Sequence, residues 1–272
     1  MAKLGIIAGG GPLPRQIADR ILKRGQDVFI IAFEGYTDPE TTNGRDHAWV
    51  RLGAVGKTIK TLKVENVVDL VLAGPIKRPS LKDLRPDVAA LKLLHKFGKK
   101  AFGDDGLLTS ILSTLEDEGF RILGADELMG TVLVEPGVVA GNTPDAQALL
   151  DIERGVAVLR ALGAVDVGQA AIVQEGLVLG VEAIEGTDAL ISRCGELRRE
   201  GPGGVLVKIR KPDQDTRVDL PTIGVETVLC AARAGLRGIA IEAAGTMIMD
   251  RDAVIKKSQE VNVFIFAITV KP

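Results

Sequence analysis

Apolar positions in the first half of the chain come in short unbroken runs, each followed by a segment with helical spacing. Leu4–Ala8 is one such run, ending in glycines, and Val28–Phe33 is another; runs of this length predict buried parallel strands. Between them Leu13, Ile17, Ile21 and Leu22 form a stripe that predicts a helix over Leu13–Lys23. The pattern continues with a helix over Lys57–Val64, a strand over Asp69–Ala73, helices over Val88–Lys96 and Leu107–Glu118, and a short strand at Arg121–Leu123. Strand, helix and strand in this order predict a doubly wound sheet.

Turn formers then interrupt the pattern at Glu135-Pro136-Gly137 and Gly141-Asn142-Thr143-Pro144. They divide the chain into a first domain over 1–132, a linker over 133–145 and a second domain over 146–272. The second half opens with a helix over Asp145–Leu162. A hairpin follows, from Gln169–Val173 and Leu177–Ala183 around the tight Glu175-Gly176 turn. Strand-like runs recur at Val205–Ile209, Gly238–Ile241, Thr246–Met249 and Val263–Val270, with helices over Asp188–Arg199, Val225–Ala234 and Ala253–Glu260. This half is α/β as well, with antiparallel pairing mixed in.

Composition narrows the class. Apolar residues are 46% of the 272 and aromatics only 3%, so the core is aliphatic, as buried parallel strands require. A formal charge of -2 gives no domain-wide basic face, which excludes wrapping nucleic acid. Cys194 and Cys230 form no CxxC pair, so a zinc site or disulfide framework has no basis, and two free thiols fit a reducing compartment. The apolar run after Lys3 is too short for a signal segment, and no stretch reaches the roughly 20 apolar residues of a spanning helix. The expectation is a cytoplasmic protein.

Four stretches could carry chemistry. Gly9-Gly10-Gly11-Pro12 lies between the first strand and the first helix, where backbone N–H groups and the helix dipole suit a phosphate. Pro14 stands where a dinucleotide fingerprint has its third glycine, although Glu34 sits where a ribose-binding acid would be, so an NAD-dependent oxidoreductase stays as an alternative. The bland reading of the glycines is a closing turn. The long charged connection from Lys208 to Gly224 joins a strand to a helix, a common home for active sites. There Lys208, Lys211 and Arg217 suit phosphoryl oxygens. Asp215 and Asp219 suit a hard cation such as Mg2+ or a positioned water. A solvated loop of self-compensating charges is the competing reading.

Glu182, Glu185 and Glu242 are acids at strand ends, where several could meet on one metal, and Thr187 or Asp188 suits a helix cap. Asp104, in Gly103-Asp104-Asp105 ahead of a helix, is a cap or a substrate contact, and Lys77-Arg78-Pro79 lies just past a strand end. With only two histidines, His47 and His95, the chain cannot furnish a binuclear metallophosphoesterase site or a histidine-based triad. It has no GxSxG elbow and no GxxxxGK[ST] loop.

Taken in order, several pieces resemble a known family. They are KLGIIAGGGPLP at the start, GDDGLL from Gly103, GADELMG from Gly124, DVGQAAIVQEGLVLGVEAIEGTD from Asp166 to Asp188 and KPDQDTRVDLPTIG from Lys211 to Gly224. The chain resembles the histidine-poor UDP-2,3-diacylglucosamine diphosphatases of lipid A biosynthesis in Gram-negative bacteria. The resemblance implies a Rossmann-like N-terminal domain and a C-terminal α/β domain of unusual topology. It also implies Mg2+-dependent hydrolysis to UMP and 2,3-diacylglucosamine 1-phosphate, with the catalytic acid in Asp219-Leu220-Pro221. Substrate contacts are then expected from Gly9, Gly10, Gly11, Lys208, Lys211, Arg217, Thr187 and Asp104, and metal ligands from Asp219, Asp215, Glu185 and Glu242. A lipid product path points to peripheral contact with the inner membrane, and an apolar groove to a homodimer. The second alternative is a nucleotide-sugar lipid carrier without turnover.

Overall fold

A computed structural model describes residues 3–76, 86–97, 104–130, 134–212, 214–218 and 220–270. The chain divides into two compact units, Met1–Gly130 and Thr131–Pro272.

The first unit holds a parallel sheet of β1 (Lys3–Ala8), β2 (Val28–Phe33), β3 (His47–Val50), β4 (Val67–Ala73) and β5 (Arg121–Ile122), in the order β3-β2-β1-β4-β5. This is the Rossmann-like, doubly wound order. β1 and β2 are unbroken apolar runs because both of their faces are covered: Leu4, Ile6, Ile30 and Val71 pack with Ile17, Ala18 and Ile21 of α1 (Leu13–Lys23). The other helices are α2 (Val55–Val64), α3 (Val88–Phe97), α4 (Asp104–Asp117) and the short α5 (Ala125–Met129). β3 and α5 had no counterpart in the sequence pattern.

The second unit is a mixed sheet in the order β6-β13-β11-β9-β7-β8. Its strands are β6 (Gly137–Ala140), β7 (Ala170–Gln174), β8 (Leu177–Val181), β9 (Val205–Lys208), β11 (Gly238–Glu242) and β13 (Phe264–Ile268). β9, β11 and β13 run parallel, whereas β6, β7 and β8 each pair antiparallel with a neighbour. Gly137–Ala140 lies inside the stretch read from its turn formers as a linker, yet it forms an edge strand on β13. Two residues each of β10 (Thr222–Ile223) and β12 (Met247–Ile248) make a separate parallel ladder.

Alternate residues of this sheet face opposite layers, as the strand period demands. Ala171, Val205, Val207 and Ala240 pack on α6 (Ala146–Gly163) through Ala148, Ile152 and Leu159. Ile172, Leu206, Ile239 and Ile265 pack on the other face against α7 (Thr187–Gly195), α8 (Val225–Arg233) and α9 (Arg251–Val261). The β7–β8 turn has φ 52° at Glu175 and 78° at Gly176, the left-handed pair that a tight two-residue hairpin requires. Asp151 of α6, 1% exposed, reaches under this turn and accepts the N–H groups of Glu175 (3.1 Å) and Gly176 (2.7 Å).

Candidate active site

In the second unit the strands β9 and β11 end side by side, and the connection from Ile209 to Pro221 leaves from β9. The carboxyl edge of parallel strands is where open α/β sheets bind ligands. Lys208, the last residue of β9, is 6% exposed; its ammonium donates to the Thr187 hydroxyl (2.8 Å) and to the Thr222 carbonyl (3.0 Å). The Thr187 hydroxyl donates in turn to Glu182 Oε1 at 2.8 Å. Glu182 is 6% exposed, and its other oxygen accepts the Gln169 N–H at 3.1 Å. Gly186, not Thr187 or Asp188, takes the capping position of α7, so the Thr187 hydroxyl serves the strand ends instead of its own helix.

Beyond Lys208 the connection is tied down residue by residue. Arg210 donates its backbone N–H and Nε to the two oxygens of Glu242, both at 2.9 Å. Glu242 is 4% exposed at the end of β11. Lys211 donates to Asp166 Oδ1 at 2.6 Å, and its backbone N–H to Gln214 Oε1 at 3.0 Å. Arg217 grips Asp215 with Nε at 3.0 Å and a terminal nitrogen at 2.7 Å, and this hydrogen-bonded guanidinium holds the Asp215 carboxyl below the usual aspartate range. Asp219 lies outside the described residues. Of the residues close to it in sequence, Val218 donates its N–H to the Asp215 carbonyl at 3.2 Å, and the Pro221 carbonyl accepts the Met247 N–H at 2.8 Å.

Lys208 and Thr187 are therefore brought into contact, and Lys211, Arg217 and Asp215 share the connection that follows. Of the four carboxylates expected on a metal, Asp219 lies outside the described residues and the other three are each held by an arginine. Glu185 is held by Arg193 at 2.8 Å, whose hydrogen bond depresses its pKa, while Glu242 is held by Arg210 and Asp215 by Arg217. Among the described residues no three of His, Cys, Asp and Glu gather as a metal site.

In the first unit the glycine loop turns its N–H groups inward. Gly9 donates to the Ala73 carbonyl (2.8 Å), Gly10 to the Pro75 carbonyl (2.9 Å) and Gly11 to the Asp38 carboxylate (2.8 Å). Asp38 thus brings to the head of α1 the negative charge that a phosphate would bring. The Gly9 and Gly10 bonds tie the loop to the exit of β4, and the Gly11 bond ties it to the segment after β2. Glu34 follows β2 and donates its N–H to the Val50 carbonyl at 3.1 Å. Asp104 and Asp105 fall inside the first turn of α4, not ahead of it. Lys77, Arg78 and Gly103 lie outside the described residues.

In the sequence Glu182 stands out only as a strand-end acid, and Asp166, Gln169 and Gln214 carry no local signal of a role. Asp166 accepts the Lys211 ammonium, Gln169 donates its N–H to Glu182, and Gln214 accepts the Lys211 N–H, contacts between segments far apart in sequence or within the connection itself. A long connection rich in lysine and arginine, rooted at the carboxyl edge of a mixed sheet beside a buried ammonium, defines an α/β protein equipped for an anionic, phosphoryl-bearing ligand.

The chain belongs to the LpxI family: sequence models of the LpxI N-terminal domain and the LpxI C-terminal domain match residues 3–132 and 135–266. It is 41% identical over 277 residues to UDP-2,3-diacylglucosamine pyrophosphatase LpxI of Caulobacter vibrioides (strain ATCC 19089 / CIP 103742 / CB 15), with 98% of each chain covered. Among solved structures it is similar to CobK precorrin-6A reductase at 11% identity and a TM-score of 0.34, over 100% of this chain and 90% of that one. A likeness that faint carries no argument about fold or chemistry.

Proposed function

We propose that this protein hydrolyses the diphosphate of UDP-2,3-diacylglucosamine in lipid A biosynthesis, releasing UMP and 2,3-diacylglucosamine 1-phosphate. The observation that carries this reading is the similarity, along nearly the whole chain, to UDP-2,3-diacylglucosamine pyrophosphatase LpxI. The anchored ammonium of Lys208 supports it with chemistry. Water adds to one phosphorus, the bridging P–O bond breaks, and its electron pair leaves with the other phosphate. Negative charge grows on the phosphoryl oxygens as this happens. A cation already fixed by the Thr187 hydroxyl and the Thr222 carbonyl meets that charge without reorganising. Preorganised charge of this kind supplies most of the rate enhancement in many enzymes.

Asp219 is the group we assign to the attacking water or its cation. Lys211 and Arg217, on the same connection, are assigned to the phosphate oxygens. Mg2+ dependence, a homodimer and peripheral contact with the inner membrane through the acyl-bearing substrate are parts of the same proposal. In that proposal Asp215, Glu185 and Glu242 are the candidate ligands beside Asp219, and each of the three is paired with an arginine.

The test is UMP release from UDP-2,3-diacylglucosamine by wild type and Asp219→Ala, each with Mg2+ and with EDTA. The expected result is turnover that EDTA abolishes, and a loss of about 100-fold or more in kcat for the variant with its circular dichroism unchanged. No UMP from wild type under either condition would overturn the function. Equal release by both proteins would leave the function standing and remove Asp219 from the chemistry.

A further inference from the structure

Lys208 and Glu182 carry opposite charges and are both buried, yet they stand on opposite sides of β7. Lys208 of β9 faces Ala170 in the antiparallel register, and Glu182, just past β8, donates its N–H to the Ala170 carbonyl at 2.8 Å from the other side. Two inter-strand spacings separate their backbones by roughly 9–10 Å. The hydroxyl of Thr187, entering from the start of α7, spans the gap with 2.8 Å contacts on both sides.

A hydroxyl has one proton and is a free rotor unless a neighbour sets its direction. An ionised carboxylate can only accept. Facing Glu182, the Thr187 proton must therefore point at Oε1, which turns an oxygen lone pair toward Lys208. Glu182 has little freedom to do otherwise, because the Gln169 N–H holds its second oxygen and Gly168 packs against its own carbonyl. An amide in its place can offer Thr187 an N–H, which leaves the hydroxyl between two donors with no acceptor for its own proton.

We propose that Glu182 is a positioning residue of this site, which fixes the Thr187 hydroxyl as an acceptor and through it aims the Lys208 ammonium at the phosphoryl group. The inference rests on the pyrophosphatase reading above. Glu182 acts through Thr187 and needs no contact with substrate, so its loss should fall on the transition state more than on binding.

The test compares Glu182→Gln, Thr187→Val, the double variant and Thr187→Ser, all full length, by steady-state UMP release from UDP-2,3-diacylglucosamine. Glu182→Gln is expected to lower kcat about tenfold to a hundredfold with KM within about threefold, the size of effect that a misaimed group produces. Because both residues act on one ammonium, the double variant should be no slower than the slower single. Thr187→Ser, which keeps the hydroxyl, should recover at least about tenfold over Thr187→Val. If Glu182→Gln does not fold, the Val and Ser pair carries the test alone, and equal rates for those two would overturn the proposal. So would losses that multiply in the double variant, or a Glu182→Gln kcat indistinguishable from wild type. An active wild type with an unimpaired Glu182→Gln sinks this inference only; an inactive wild type sinks the functional reading and this inference together.

Discussion

Gly168→Ala should damage the second unit well beyond the usual cost of losing a glycine. Gly168 has φ +61°, and a Cβ built there would lie 2.1 Å from the Glu182 carbonyl oxygen and 2.9 Å from its carbon. The left-handed conformation alone costs an L-residue about 1–2 kcal/mol. A carbon cannot sit that close to a backbone oxygen, so the two segments must part by about an ångström. That movement strains the Glu182 N–H bond to Ala170 (2.8 Å) and the Gln169 N–H bond to the Glu182 carboxylate (3.1 Å). Leaving one buried partner unsatisfied adds about 1–3 kcal/mol, for a total of about 2–5 kcal/mol. For a unit of this size each kcal/mol lowers Tm by about 2–4 °C, so the expected fall is about 4–20 °C.

Gly176→Ala is the matched control: its φ is +78° and nothing lies within 4 Å of its Cβ, so it bears the conformational cost alone. Thermal unfolding of both variants, followed by circular dichroism, reads the difference, and UMP release at a temperature where both are folded should be lower for Gly168→Ala. Equal melting temperatures for the two variants would refute the close contact. Unchanged turnover in Gly168→Ala would refute its role in seating Glu182.

Removing the Asp151 carboxylate with Asp151→Ala strands the Glu175 and Gly176 N–H groups under the hairpin, and should cost about 2–4 kcal/mol in urea unfolding; a cost under about 0.5 kcal/mol, the usual size of a neutral surface change, would mean that the turn holds itself. The Arg217 contact that depresses the Asp215 pKa makes a pH-dependent contribution. Its sign follows from the depressed folded value: the contribution is complete above the unfolded pKa, near about 4, and disappears as pH falls through the lower folded one. Urea midpoints of wild type and Asp215→Asn should therefore differ by a constant amount above about pH 5 and converge below about pH 4. A gap that persists undiminished into acid would contradict the pairing.

Much of the architecture was written locally. The unbroken apolar runs at Leu4–Ala8 and Val28–Phe33 became β1 and β2, the stripe over Leu13–Lys23 became α1 with those bounds, and Glu175-Gly176 made the hairpin turn. These features depend on neighbours two to four positions apart, so the chain carries them without help from the fold. The motifs along the chain were enough to place it in its family. What stayed hidden depends on partners far away in sequence. β6 emerged from a run of turn formers because β13, more than a hundred positions later, offered it an edge. Glu242, Glu185 and Asp215 looked alike as candidate ligands, but the fold handed each to a different arginine. Glu182 became a buried partner of Thr187 because β7 holds β8 and β9 in register on either side of it. A carboxylate's chemistry is set by which donors surround it, and only the tertiary structure decides that.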